Sequence, residues 1–173
     1  ARENGIAVGD LTPYLPAGLE CHRLVFVNGR LRADLSDTGA LPQGVRLTNL
    51  AQLLDDDSSA IESHFADDLE GNGPIALNTA FMTDGAVLTI DDGVAVERPV
   101  HLLYLAAPGD EPAAIHTRNL IVAGAASSAT VIESYAAADT GAYWTNAVTD
   151  IVAAEDANLR HFKLQGEGAE AFH

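Results

Sequence analysis

A repeat constrains this chain more than any other feature. Ile121-Val122-Ala123-Gly124 returns as Ile151-Val152-Ala153-Ala154, an offset of 30 residues. Without a gap, the same offset lays Ala129 on Leu159, Val131 on His161, Ile132 on Phe162 and Glu133 on Lys163. Short β-branched runs that return at a period of about 20–50 residues are the signature of a solenoid. Ile121–Val122, Thr130–Ile132 and Val148–Val152 are too short and too β-branched for helices. The expectation is stacked strands, one coil per repeat, each layer about 4.8 Å from the next.

Composition agrees with such stacking. Of the 173 residues 47% are hydrophobic but only 6% aromatic, so the apolar content is mainly Ala, Val, Leu and Ile. These fill flat layers better than large rings do. The formal net charge is −16 and the pI about 4.4. That charge repels phosphate backbones and anionic membranes, which argues against nucleic-acid or membrane partners. No run reaches the ~18 apolar residues of a membrane span, and no basic and apolar leader opens the chain. The expected setting is the cytoplasm. Cys21 is the single cysteine and is expected as a small buried hydrophobe.

Taken in order, Ala1–Glu20 is punctuated by Gly5, Gly9, Pro13, Pro16 and Gly18 and reads as irregular. Leu24–Val27, Asn28-Gly29 and Arg30–Ala33 form a hairpin pattern, because Asn-Gly accepts the positive φ angles of a type I′ turn. Leu41–Gly44 reads as a turn. Thr48 or Asn49 is placed to cap a short helix through Leu54, broken by Asp55-Asp56-Asp57. These three aspartates are read as a solvated linker rather than a metal site. Ser59 and Glu62 have capping-box spacing for a helix to about Asp68 that carries His64 and Phe65. His64 and Asp68 are a weak ligand pair at best.

Gly71-Asn72-Gly73-Pro74 is read as the end of the helical part. This divides the chain into residues 1–73, the end of an N-terminal helical and hairpin region, and 74–173, the first coils of a parallel β-helix. From Ile75 onward the pattern reads as strand and turn. The turns are Thr83-Asp84-Gly85, Asp91-Asp92-Gly93 and Pro108-Gly109-Asp110. The strands are Val87–Ile90, Val94–Val96 and Val100–Leu105, the last apolar enough to be covered on both faces.

Several runs then stand together in one order. They are Phe26-Val27-Asn28-Gly29-Arg30, Leu77–Phe81, Thr83-Asp84-Gly85, Pro99–Tyr104, Arg118–Val122, Thr130–Tyr135 and Asn158–Gln165. From about Leu24 to His173 this series resembles the SufB/SufD family of the SUF iron–sulfur cluster assembly system, and its SufD branch more than SufB. The resemblance implies an N-terminal helical region, a right-handed parallel β-helix and a C-terminal helical region, before which this sequence stops. It further implies a scaffold without catalytic activity of its own, whose partners are a SufB-like paralogue and a SufC-like ATPase. No cofactor is expected on this part of the family fold. An iron–sulfur cluster enters only at the level of the complex. No catalytic, cofactor or metal residue carries over. Gly124-Ala125-Ala126-Ser127 departs from the Gly-Glu-Asn-Ala often seen in relatives, which is expected to affect a coil corner.

Among polar constellations, the stack of Glu133, His161 and Lys163 stands out. Facing inward, these residues would have to pair or shift their pKa, and could relay a proton or hold an anion. Facing outward, they would form a weak surface pair. The outward or rim position is the expectation. Neither strand parity is clean, so a bulge is allowed for. His101, His116, His161 and His173 have irregular spacing and are read as separate histidines. Ser127, Ser128 and Ser134 lack a nucleophile context, and no phosphate loop is present. The alternative function is a β-helix carbohydrate-active enzyme, a lyase or hydrolase. Its one sign would be stacking by Tyr143 and Trp144. An open final coil is expected to seek end-to-end or dimeric pairing.

Overall fold

A computed structural model describes residues 11–57, 65 and 72–173. The chain is mainly β. Two five-stranded sheets, each of mostly parallel strands, take alternate strands from the sequence. The first sheet has the order β2-β1-β5-β7-β9: β1 His22–Val27, β2 Arg30–Leu31, β5 Val100–Ala106, β7 Ser128–Ala137 and β9 Asn158–Gly166. The second has the order β10-β8-β6-β4-β3: β3 Val45–Asn49, β4 Ala86–Ile90, β6 Ala113–Ala123, β8 Tyr143–Ala153 and β10 Ala171–Phe172.

The register read from the repeat is the register observed. Ile121 pairs with Ile151 between β6 and β8. Ala129 pairs with Leu159, Val131 with His161, Ile132 with Phe162 and Glu133 with Lys163 between β7 and β9. Pairing runs unbroken along both ladders, so no bulge is needed. The space between the sheets holds Leu24, Phe26, Leu88, Val100, Leu102, Ile121 and Val131, all buried. Full burial of each such side chain contributes about 1.5–3 kcal/mol.

Chain turns lie where Gly, Asn and Asp placed them. Asn28 and Gly29 have φ of 48° and 76°, the left-handed pair that closes the β1–β2 hairpin. The Asn28 amide also bonds both ways to the Ala107 backbone at 2.8 Å, extending the β1–β5 ladder past the turn. β2 is only two residues long, however, because Arg32–Leu35 turns away. Gly93, Ala126 and Asp156 occupy one corner in successive layers, each with positive φ. The Gly93 amide donates to Ala125 and the Ala126 amide to Glu155, so each corner rests on the next.

Three expectations are corrected, and one strand is added. Ile75 does not open a strand region: α2, Gly73–Phe81, occupies it, capped by Asn72 with Pro74 in the first turn. Proline there starts a helix because its missing N–H would be unpaired anyway. Asp55–Asp57 does not break the preceding helix, since α1 runs Leu50–Asp57. Val94–Val96 is not a strand but a single bridge, Ala95 to Ser128. The strand β3 was not anticipated. It pairs antiparallel with β4 and caps the second sheet. The helix expected over Ser59–Asp68, with His64, lies outside the described residues.

Both sheets are also covered outside. Leu11, Tyr14 and Leu15 pack on Val25, Leu103 and Leu105. α1 places Leu50 and Leu53 on Val87 and Leu120. Val100–Ala106 is accordingly buried along its whole length, as its unbroken apolar run implied. The far edge is different. Ile151 is 43% exposed rather than buried, and Phe162, Leu164 and Phe172 are exposed beside it.

Candidate functional site

Glu133 is the centre of the site, and its facing is a correction. It points between the sheets and is 1% exposed, not on the rim. Strand alternation puts Val131, Glu133 and Tyr135 of β7 on one side, with Ala129. The adjacent strands follow in register, so Tyr104 of β5 and His161 and Lys163 of β9 share that inner face. Asn119 of β6 and Thr149 of β8, themselves register partners, approach from the opposite sheet.

The carboxylate is fully partnered. Tyr135 donates its hydroxyl to Oε1. Thr149 Oγ1 donates to Oε2 at 2.9 Å, and His161 Nε2 lies 2.7 Å from the same oxygen. A carboxylate only accepts, so His161 carries its proton on Nε2. Burial by itself raises the pKa of Glu133. The hydrogen bonds from His161, Tyr135 and Thr149 outweigh it and hold the group below the ordinary value of 4.5, hence ionised.

The network continues away from the carboxylate. Asn119 Nδ2 donates to Thr149 Oγ1 at 3.1 Å. Asn119 Oδ1 accepts from Tyr104 Oη and from the Ala86 amide. Burial and the nearby Glu133 charge raise the phenol pKa of both Tyr104 and Tyr135, so both stay protonated donors. Phe26, Tyr104 and Tyr135 stack through three strands with centroids 4.9 Å apart. Lys163 Nζ sits 4.8 Å over the Tyr135 ring, which gives its charge a face to rest on. His173 meets the same ring edge-on and pairs with Glu167 at 2.8 Å. Chemically, this is a buried carboxylate–imidazole pair with a phenol on its other oxygen. It holds one negative charge buried between the sheets, with His161 as its partly exposed contact.

A second buried acid was hidden in the sequence as a turn. Asp84 is 4% exposed. Its oxygens accept from the amides of Leu31, Ala51 and Gly85 and from Asn49 Nδ2. The first amide of α1, that of Leu50, donates to the Gly85 carbonyl and the second, that of Ala51, to Asp84, rather than to Thr48 or Asn49. Gly85 beside it has no room for a side chain: a Cβ would stand 1.9 Å from the Arg118 carbonyl oxygen. On the outer side of the second sheet, Arg118 is 1% exposed and forks onto Asp150 at 2.6 and 3.0 Å. Asn78 of α2 donates to the carbonyls of Thr117 and Asn146, which fixes that helix on the sheet.

The other sequence candidates fall in separate places. His101 is buried on the outer side of the first sheet beside Ser134, and His116 lies between the rings of Phe81 and Trp144. Cys21 is buried, as expected of a small hydrophobe. Tyr143 is 3% exposed, so it offers no stacking face to a sugar. Among the described residues, no three His, Cys, Asp or Glu side chains gather as a metal set. No described helix is long and apolar enough to cross a membrane.

Two family models cover most of this architecture. Residues 17–102 match the SufBD protein N-terminal region, and residues 105–173 match the SufBD core domain of SUF system FeS cluster assembly. The chain belongs to the SufB/SufD family. It is 32% identical over 171 residues to the iron-sulfur cluster assembly SufBD family protein slr0076 of Synechocystis, covering 92% of this chain and 37% of that protein. It is 26% identical over 139 residues to Protein ABCI7, chloroplastic, of Arabidopsis thaliana, covering 77% of this chain and 29% of that protein. The chain thus spans about a third of the curated relatives it matches. In family terms, β1 to β4 fall in the N-terminal match, β5 straddles the boundary, and Glu133, Thr149 and His161 fall in the core match.

Proposed function

We propose that this chain is part of a SufD-type scaffold subunit in an iron–sulfur cluster assembly complex. It works by contact with a SufB-like paralogue and a SufC-like ATPase, and not by catalysis of its own. Its alternating strands are coils of a right-handed parallel β-helix, the hand that parallel crossovers adopt in nearly all cases. The observation that carries this reading is the joint match of both family models over residues 17–102 and 105–173. The gapless ladders from β5 through β7 to β9 and from β4 through β6 to β8 support the coil assignment. In this reading the Glu133 network is a rigid internal pin between layers, and the cluster is cargo of the complex.

The test is co-purification. The full-length protein that carries this sequence, tagged and expressed in its native cells, is expected to bring down a SufB-like and a SufC-like protein. Recovery of neither, at micromolar concentration of the tagged protein, would overturn the scaffold assignment. Turnover of an acidic glycan would favour the carbohydrate-enzyme alternative, against which the burial of Tyr143 already speaks.

A further inference from the structure

Phe, Tyr and Trp make up only 6% of this chain. Three of them nevertheless meet a histidine on the outer side of the second sheet. Tyr143 and Thr145 of β8 are buried between the sheets, so strand alternation turns Trp144 outward. Its parallel partner on β10 is Phe172, which shares that face one strand spacing of about 4.8 Å away. The His116 ring of β6 stands 5.3 Å from the Trp144 ring and 5.6 Å from that of Phe81, the last residue of α2. Phe81 is 59% exposed and Phe172 71%, with Trp144 half-buried between them. The row Phe81, His116, Trp144, Phe172 thus runs from the helix end to the sheet edge. A contiguous apolar surface left open in this way marks contact with another molecule.

The margin of the row is acidic. Glu170 is exposed and stands two residues before Phe172, a span of at most about 7 Å, which lies within the screening length of about 8–10 Å. Asp110 and Glu111 are exposed on the turn that leads into β6. The elements that build the face supply no base to offset them. No Lys or Arg occurs in residues 72–97, which hold α2, in 107–117 or 138–159, which hold the start of β6 and all of β8, or in 164–173, which hold β10. Burial lowers the His116 pKa, so that ring is neutral near pH 7 and opposes no cation. The exposed apolar pair on the first sheet differs here: Phe162 and Leu164 have Arg160 and Lys163 on their own strand.

We propose that the face of Phe81, His116, Trp144 and Phe172 docks a basic segment of a partner protein, whose arginine or lysine side chains lie over the rings and pair with the acids at their margin. Aromatic faces attract such cations, and Trp with Arg is a recurrent anchor of interfaces. An acidic segment would be repelled by Glu170, Asp110 and Glu111, and a purely apolar one would leave those charges without a counterpart. The inference is independent of the scaffold reading, since it uses neither the family match nor the Glu133 network.

The experiment titrates the full-length protein that carries this sequence into a fluorescently labelled Gly-Arg repeat peptide, read by anisotropy at constant ionic strength. Saturable binding is expected. It should weaken about fivefold in Phe81→Ala and in Phe172→Ala, the scale of one lost cation–ring contact at an exposed site. Phe162→Ala, an exposed ring on the other sheet, should leave binding unchanged. Unchanged binding in both Phe81→Ala and Phe172→Ala, or an equal loss in Phe162→Ala, would reduce the effect to net charge and overturn the site. A Gly-Glu repeat peptide forms the second arm, and binding as tight as that of the Gly-Arg peptide would overturn the basic partner. Hydroxyl-radical footprinting of the unsubstituted protein guards against misfolded variants. The Gly-Arg peptide is expected to shield Phe81, Trp144 and Phe172 but not Phe162; no shielding of the three, or the same shielding of Phe162, would overturn the proposal.

Discussion

His161 reaches Glu133 across the β7–β9 ladder at 2.7 Å although its own strand partner is Val131, one inner-face step away. The diagonal reach leaves the position directly beside Glu133 to Lys163, whose charge rests on the Tyr135 ring instead. The carboxylate is thus held by a cradle of phenol, hydroxyl and imidazole, tied to both sheets.

Removing that charge should loosen the layers. Glu133→Gln keeps the volume but loses charge-assisted bonds from Tyr135, Thr149 and His161. A loss of about 2–4 kcal/mol is expected by urea denaturation. A double-mutant cycle with Thr149→Val should show coupling, because the two share one hydrogen bond. An additive result would contradict the network.

The same group sets an acid limb. The folded pKa of Glu133 is lowered, so its contribution is present above the ordinary carboxylate value and disappears as pH falls through the lower folded value. Urea midpoints measured from pH 5 downward should fall less steeply in Glu133→Gln than in the unsubstituted protein.

His101 acts in a higher window. Burial, with a smaller push from the Arg23 charge, lowers its pKa from 6.5 to about 4. Between those values the unfolded chain binds the extra proton and the folded chain does not. Stability therefore rises with pH across this window and is complete above 6.5, by about 3 kcal/mol at most. His101→Gln should flatten the profile between pH 4 and 6.5, an outcome read from the same denaturation series.

Two backbone positions should respond in opposite ways. At Gly85 a Cβ would stand 1.9 Å from the Arg118 carbonyl, so Gly85→Ala should cost more than about 3 kcal/mol, as β4 and β6 must separate. Ala126, exposed and with φ of 53°, holds a left-handed conformation that costs a residue with a side chain about 1 kcal/mol. Ala126→Gly should raise the thermal midpoint. A lower midpoint would show that the corner depends on the methyl group.

Much of the architecture was legible because it rests on local, periodic signals. The 30-residue return of Ile-Val-Ala specified the β6–β8 and β7–β9 registers, since a gapless offset admits one alignment only. Asn28-Gly29 specified its turn through the φ angles that those residues tolerate. α2 was missed because Pro74 was taken as a stop, whereas with Asn72 before it the same proline is a start.

Which way Glu133 faces was a tertiary decision. Alternation divides β7 into two faces, but both carry apolar residues, Val131 on one and Ile132 on the other. Only the arrival of the Leu11–Leu15 segment on the outside of the first sheet and of Thr149 and Asn119 on the inside distinguishes them. The same holds for Asp84, a turn residue by its neighbours and a buried anchor by its partners at Leu31, Asn49 and Ala51. Strand spacing is written in the chain because it follows from local geometry. The burial of a charge is not, because it depends on donors brought in from distant parts of the sequence.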